Sequence, residues 1–462
     1  MPNPEELAEL LYHELAQRRE EGYDVAAVQA RWDMLGLPPL RVHRGVPEAY
    51  RETVAAHAAE LEALYQQLEG VAGPAADFGY DEPSSLDAIR AARPDGPRRL
   101  PLRLSGDALR DRIEGAWLAR AAGCLLGKPV EGWSRQDIRT LLEYAGEYPL
   151  TQYLPYVGAR DGAPEVVGRL ARRPADWFRG RIDRMVRDDD MDYPLIGLHL
   201  LERYGPDFTT ADVGQVWQSK LPYLLVYTAE RVAYRNLVDG LQPPATATYR
   251  NPYREWIGAQ IRADIWGWVS PGRPERAATL AYRDAALSHV KNGIYGEMYF
   301  AAAIAASFAT ATVREALAIG LTEIPANSRV AEAVRKTMAW VGEDGDFQQT
   351  TDRIHDAYGH YHGVHTINNA ALVVMGLLYA ERQAQRSADL LEPAICQTVM
   401  GGWDTDCTGA TAGSLVGSLV GARALPGKWV GDFHDRLQSI VIGMTDNRFS
   451  ELAERTLAQA KG

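Results

Sequence analysis

Cysteine is scarce in this 462-residue chain. Cys124, Cys396 and Cys407 are an odd number with no paired spacing, which excludes a disulfide framework and points to a reducing compartment, read here as the cytoplasm. Long apolar runs are missing too. Met298 to Val313 is Ala-rich and falls short of the roughly 20 residues a bilayer crossing needs, as does the Gly-rich run Thr408 to Ala422, so both read as buried helices and no membrane partner is expected. The chain also lacks a basic excess. Lys and Arg number 49 against 61 Asp and Glu, a formal charge of −12, and no Lys/Arg-rich stripe overrides it, so long nucleic acid is a poor partner. A small anionic ligand stays compatible with that charge, because a bound divalent cation reverses the local field. The opening MPNPEELAELLYHELAQRREE has neither a cationic start nor an apolar centre and does not read as a signal peptide.

What is present is ordinary globular composition, 46% apolar and 24% charged, with enough material for a large core. Strand-like alternation is rare, so the fold class is all-α. Pro4 to about Gly22 and Glu48 to about Glu69 carry apolar residues at helical spacing. The Pro/Gly-dense stretch from Gly73 to Leu104 then breaks regular structure, which divides the chain into a helical extension and linker over 1–95 and a main domain over 105–462. Ser105 is a plausible N-cap for a helix reaching Gly127. Further helices are expected near 134–144, 192–204, 211–238, 253–266, 275–288, 295–320, 328–342, 346–356, 366–384, 388–400, 407–423 and 429–443. Gly409, Gly413, Gly417 and Gly421 recur every four residues, a side-chain-free stripe on which another backbone can lie closely.

Three acidic features carry the chemistry. Asp188, Asp189, Asp190 and Asp192 crowd the start of an amphipathic helix. A dipole and a cap need only one or two of them, and the mutual repulsion of adjacent carboxylates is relieved by a divalent cation or by a solvated surface. Gly401-Gly402-Trp403-Asp404-Thr405-Asp406-Cys407 leads into the glycine-striped helix. Its Asp-X-Asp either caps that helix or presents hard oxygen donors suited to Mg²⁺, Mn²⁺ or Ca²⁺. Glu131 follows a glycine-punctuated helix end at Gly127, where a glutamate by itself is usually a solvated loop charge. The His355, His360, His362 and His365 cluster matches no zinc spacing and reads as a loop lining a cleft. Trp133, Trp403 and Tyr295 stand beside these motifs and are candidates for stacking on a base, although aromatics at such places are more often core.

Taken in order, these motifs resemble the ADP-ribosylglycohydrolases, the family that includes the dinitrogenase reductase-activating glycohydrolase. The segments His289-Val-Lys-Asn-Gly-Ile-Tyr-Gly-Glu297 and His365-Thr-Ile-Asn-Asn369 fit the same pattern, and the similarity runs from about Asp107 to Leu457. The resemblance implies an orthogonal multi-helix domain holding two divalent cations, usually Mg²⁺. It places Asp188, Asp189, Asp190, Asp404, Asp406 and Cys407 at the metal site, and Glu131 and Asp406 in the catalytic roles. Gly127, Asn292, Gly293, Tyr295, Gly296, His365 and Trp403 fall at substrate-binding positions. The implied reaction is metal-dependent hydrolysis of an N- or O-glycosidic ribosyl bond, with an ADP-ribosylated substrate favoured. The alternatives are a nucleoside or other small ribosyl glycoside as substrate, or a non-catalytic binder of ADP-ribose or metal. No oligomeric state is implied. The chain departs from the family pattern at Asp188 and Met191, which flank the aspartate pair where threonines are usual, and at Cys407, where a threonine hydroxyl is usual. Cys407 is expected as a neutral buried thiol, because a soft thiolate is out of place among so many oxygens.

Overall fold

The computed structural model describes residues 3–37, 47–158 and 161–461. Among them the fold is all-α. The sole sheet is a hairpin of two three-residue strands, Arg436–Gln438 and Asp446–Arg448, antiparallel with Leu437 opposite Asn447. No helix of the described residues is long and apolar enough to cross a membrane.

The centre of the main body is an antiparallel pair of helices, Gly106–Gly127 and Thr405–Val420. Ser105 caps the first by accepting from Ala108 N at 3.2 Å. The two backbones touch along the predicted stripe. A Cβ at Gly409, Gly413 or Gly417 would overlap the carbonyl of Gly123, Ala119 or Gly115, and one at Gly127 would overlap the Thr405 carbonyl. Around this pair sit the buried helices Asp189–Tyr204, Lys291–Ser307, Thr366–Gln383 and Leu391–Met400, sharing one apolar core.

The first helix, Pro4–Glu20, and the helix Ala58–Glu69 build a second apolar cluster, in which Leu7, Leu10 and Leu64 meet Val232, Tyr253 and Trp256 of the main body. Beneath it lies a buried ionic network. Arg254 donates to Glu14 at 2.6 Å and to Glu21 at 2.7 Å, and Gln17 donates to Glu255 at 2.7 Å. Arg329 bonds Glu255, Glu82 and the Glu20 carbonyl. Burying this many charges is costly, and every one named here is paired.

Several expected helices are shorter than their periodicity suggests. The 211–238 run divides into Thr210–Lys220 and Thr228–Val238, because Pro222 supplies no N–H and holds Leu221 extended at φ −107°, ψ 126°. In 253–266 only Ala263–Trp268 is α-helical, after one 3₁₀ turn. The preceding loop from Arg250 is buried, and its backbone bonds other segments in place of a helical ladder: Arg254 O accepts from Val290 N at 3.0 Å, Glu255 O from Thr366 N at 3.2 Å, and Ile257 N donates to Val364 O at 2.9 Å. The 295–320 run is two helices, Lys291–Ser307 and Val313–Gly320, the second capped by Thr312. At 429–443 there is a four-residue helix, a 3₁₀ turn and the first strand of the hairpin, since His434 and Asp435 both take positive φ. Helices at Ala26–Met34, Leu86–Ala92 and Phe449–Ala460 were not expected, and Leu86–Ala92 falls within the stretch read as irregular.

Candidate active site

The aspartate-rich start of helix Asp189–Tyr204 combines two roles. Asp188 is the N-cap, accepting from Asp190 N at 2.9 Å, and it also takes an ion pair from Lys128. That ion pair is the main force pulling the Asp188 carboxyl below its usual range against its burial. Pro194 lies inside this helix and has no N–H to give the carbonyl of Asp190, four residues earlier. Arg120, fully buried, fills the gap. Its Nη2 reaches that carbonyl at 2.7 Å and Asp190 Oδ1 at 3.1 Å, while its Nη1 holds Asp264 at 2.7 Å. Asp189 remains half-buried, its carboxyl pushed upward by burial and by Asp188. Asp192 turns away from the group, paired with Arg187 at 2.9 Å and accepting from Ile440 N at 3.1 Å.

The second carboxylate pair arrives from the glycine-striped helix. Asp404 stands at its N-cap position without capping it through the side chain, so the capping reading fails for this residue. Its backbone N is held by Asn369 Oδ1 at 3.2 Å, and Asn369 Nδ2 bonds the carbonyls of Gly363 and His365. Glu131 is brought in by a pair of backbone hydrogen bonds between its loop and the turn before Asp404, Trp403 N to Trp133 O at 3.0 Å and Gly132 N to Trp403 O at 2.9 Å. Ligand atoms of Glu131, Asp404 and Asp406 lie within 4.8 Å of one another, and those of Asp190, Asp406 and Cys407 do likewise.

This is a strongly anionic centre. Asp406 Oδ1 is buried with no hydrogen-bond partner, and burial followed by the charge of Glu131 drives its carboxyl far up. Burial raises Asp404 to about 6. Glu131 faces the open cleft, yet burial of its carboxyl by the surrounding fold, then Asp404 and Asp188, raises it to about 7. Cys407 Sγ donates to Asp190 Oδ2 at 3.1 Å, and burial keeps the thiol protonated, so it serves Asp190 as a donor and not as a thiolate ligand. Lys128 and Arg120 supply the main counter-charge. An unpartnered buried carboxylate oxygen among hard donors fits divalent cations of the Mg²⁺ or Mn²⁺ kind.

A cavity of about 500 Å³ opens on this centre, lined by Glu131, Asp188, Asp189, Asp190, Asp404, Asp406 and Cys407. The predicted substrate residues all lie outside the cavity lining. Gly127 is a packing residue against Thr405, whose hydroxyl bonds its carbonyl at 2.8 Å. Asn292 is spent on Glu255 and on Val330 N. A Cβ at Gly293 would press on the Arg254 carbonyl, and one at Gly296 would overlap Thr366. Tyr295 is buried and donates to the Pro83 carbonyl. His365 is a buried helix cap accepting from Ile367 N at 3.2 Å, and burial depresses it to about 3. Trp403, at φ 66°, stacks on His355 with ring centroids 4.0 Å apart and outside the cavity lining. Trp133 is buried beneath Arg169. All of these are supports for the site and do not line it.

The cavity is instead lined by residues the sequence did not single out. They include Tyr227, Tyr253 and Trp256, with Glu9, Leu10 and His13 of the first helix. His362, from the predicted histidine loop, does line it, stacked on Trp256 at 4.1 Å. The N-terminal residues carried no polar motif. Their signal was the apolar face of an amphipathic helix, and that periodicity does not say what the face covers.

An all-helical body with a carboxylate-rich centre is thus the architecture in hand. The ADP-ribosylglycohydrolase family model matches residues 105–461, and the chain belongs to that family of glycosyl hydrolases. A solved structure described as an "ADP-ribosylglycohydrolase-related protein complex" is similar over 76% of this chain and 98% of its own, at 19% identity and a TM-score of 0.44. No curated protein matches the sequence.

Proposed function

We propose that the protein is a divalent-metal-dependent hydrolase of an N- or O-glycosidic ribosyl bond, acting on an ADP-ribosylated compound. The observation that carries this reading is the convergence of Glu131, Asp188, Asp189, Asp190, Asp404 and Asp406 on one cavity, with Asp406 Oδ1 buried and unpartnered. Asp188, Asp189, Asp190, Asp404 and Asp406 would hold the cations, probed first as two Mg²⁺. Bound there, they would orient the ribose hydroxyls and lower the pKa of a water.

The side chains provide the rest. Cleavage of a ribosyl bond builds positive charge at the anomeric carbon, and the carboxylate field stabilises it. Glu131, on the open side of the group, would pass a proton to the leaving group or take one from the attacking water. Arg120 and Cys407 fix the Asp190 carboxylate, and Asn369 fixes the turn that carries Asp404. No covalent intermediate is required.

The test is mass spectrometry of ADP-ribosyl-arginine, ADP-ribosyl-serine, O-acetyl-ADP-ribose, nucleosides and nucleotides incubated with the protein and Mg²⁺ or Mn²⁺, with an EDTA control. Release of ADP-ribose that EDTA abolishes is the expected result. Cleavage of nucleosides or nucleotides alone would replace this reading with the small-glycoside one, and no product with metal bound would refute catalysis on this panel.

A further inference from the structure

The first helix belongs to the site. Glu6, Glu9, Leu10 and His13 line the same 500 Å³ cavity as the carboxylates. Leu10 is only 4% exposed and packs in one apolar cluster with Val232, Tyr253 and Trp256, while the His13 ring lies 5.3 Å from Trp256 and 5.6 Å from His362. The helix is not loosely applied. Arg254, two residues before Trp256, is clamped by Glu14 and Glu21, and Gln17 bonds Glu255. The segment that supplies the aromatic lining is therefore tied to the helix that covers it. The charge pairs fix its register, and its buried Leu7, Leu10 and Leu11 oppose swinging it away, because opening it would expose them and the Val232, Tyr253 and Trp256 they pack with to water.

We infer that the helix Pro4–Glu20 is a fixed wall of the site that restricts the substrate to a small ribosyl compound and excludes a ribosyl group carried on a folded protein. The inference rests on the proposed ribosyl hydrolysis and specifies its substrate class. The cavity volume lies within the range that encloses small molecules. A folded carrier would have to bring its own surface against the rim formed by this helix and by Tyr223 and Tyr227. A small compound has no such surface, and its leaving group can end inside the cavity. The aromatic lining offers that group apolar faces, while the carboxylate end takes the ribose.

The experiment uses the full chain with Mg²⁺ or Mn²⁺. The kcat/KM for ADP-ribosyl-arginine and O-acetyl-ADP-ribose is compared with release of ADP-ribose from an arginine-ADP-ribosylated folded protein. Preference for the small compounds by 100-fold or more is expected, and comparable rates would overturn the inference while leaving ribosyl hydrolysis intact. Glu9→Trp, at a half-buried position outside the core, is expected to raise KM for the small compounds at least 10-fold with metal stoichiometry and thermal melting kept, and Leu10→Trp, which overpacks the buried wall, is expected to raise KM as much with metal stoichiometry kept and a lower Tm. If no compound is cleaved, the proposed hydrolysis fails, and the wall is then judged by calorimetric binding of ADP-ribose. Weakening of at least 10-fold in both variants supports the wall, and unchanged affinity in both overturns it.

Discussion

Pro194 and Arg120 are joined through a single carbonyl. The proline leaves the Asp190 C=O without its helical donor, and Arg120 Nη2 takes it at 2.7 Å while also holding the Asp190 carboxylate. The helix break and the orientation of a site aspartate are one arrangement. Replacing Arg120 by Met leaves Asp190 and Asp264 buried without their cation, a change expected to cost about 3–5 kcal/mol. Chemical denaturation should show that loss, and a variant within 1 kcal/mol of the parent would contradict the account.

Asp406→Asn removes a charge where one carboxylate oxygen has no protein partner. Metal affinity is expected to fall beyond the roughly 10–100-fold typical of changes that only orient a ligand, and turnover should go with it. Isothermal titration with Mn²⁺ and a product assay read both quantities. Full occupancy with unchanged turnover would sink the metal assignment.

The pH dependence follows from the raised carboxyls. Glu131 at about 7 and Asp404 at about 6 hold protons in the folded protein that the unfolded chain, with values near 4.5 and 3.8, has already lost. Without metal, stability should therefore fall as pH rises from about 4 to about 7. A divalent cation binds the ionised group, so the rise in Tm on adding Mn²⁺ should be larger at pH 8 than at pH 5.5. Equal shifts at the two pH values, read by differential scanning calorimetry, would show that these carboxyls do not take up the ion.

Gly413→Ala sets propensity against packing. Alanine favours a helix interior by about 1 kcal/mol, but its Cβ would overlap the Ala119 carbonyl across the helix pair. Overpacking of this kind typically costs about 1–3 kcal/mol, and backbone gives less readily than a side chain, so a net loss and a Tm lower by a few degrees are expected. A higher Tm would mean that the two helices can separate without cost.

Arg254→Ala should loosen the first helix while leaving the carboxylate centre assembled, because Glu14 and Glu21 both lose the cation they share, Glu14 keeping only Arg18 of its own helix at 2.7 Å and Glu21 keeping Lys291 at 3.2 Å. Limited proteolysis should then cut within the first 37 residues at least 10-fold faster than in the parent. Resistance equal to the parent would show that the apolar cluster alone holds the helix.

The helical class, the glycine stripe and the order of the acidic motifs were legible in the sequence, because each depends on local spacing. Four-residue glycine periodicity implies a close backbone neighbour whichever helix provides it, and Asp-X-Asp at a helix start is a matter of a few consecutive residues. Which helix lies on the stripe, which aspartate of the 188–192 group turns away to Arg187, and which polar side chains line the cavity depended on residues far apart in the chain. Asn292, Tyr295 and His365 have the chemistry of ligand-binding residues, and a sequence cannot tell a buried side chain packed into the fold and bonded to Glu255, Pro83 or Ile367 from one that faces a cleft. The first helix shows the same division. Its apolar face was written in its periodicity, while its place as a wall of the site was decided by Arg254 and Glu255, more than 230 residues away, whose burial required partners and found them at Glu14, Glu21 and Gln17.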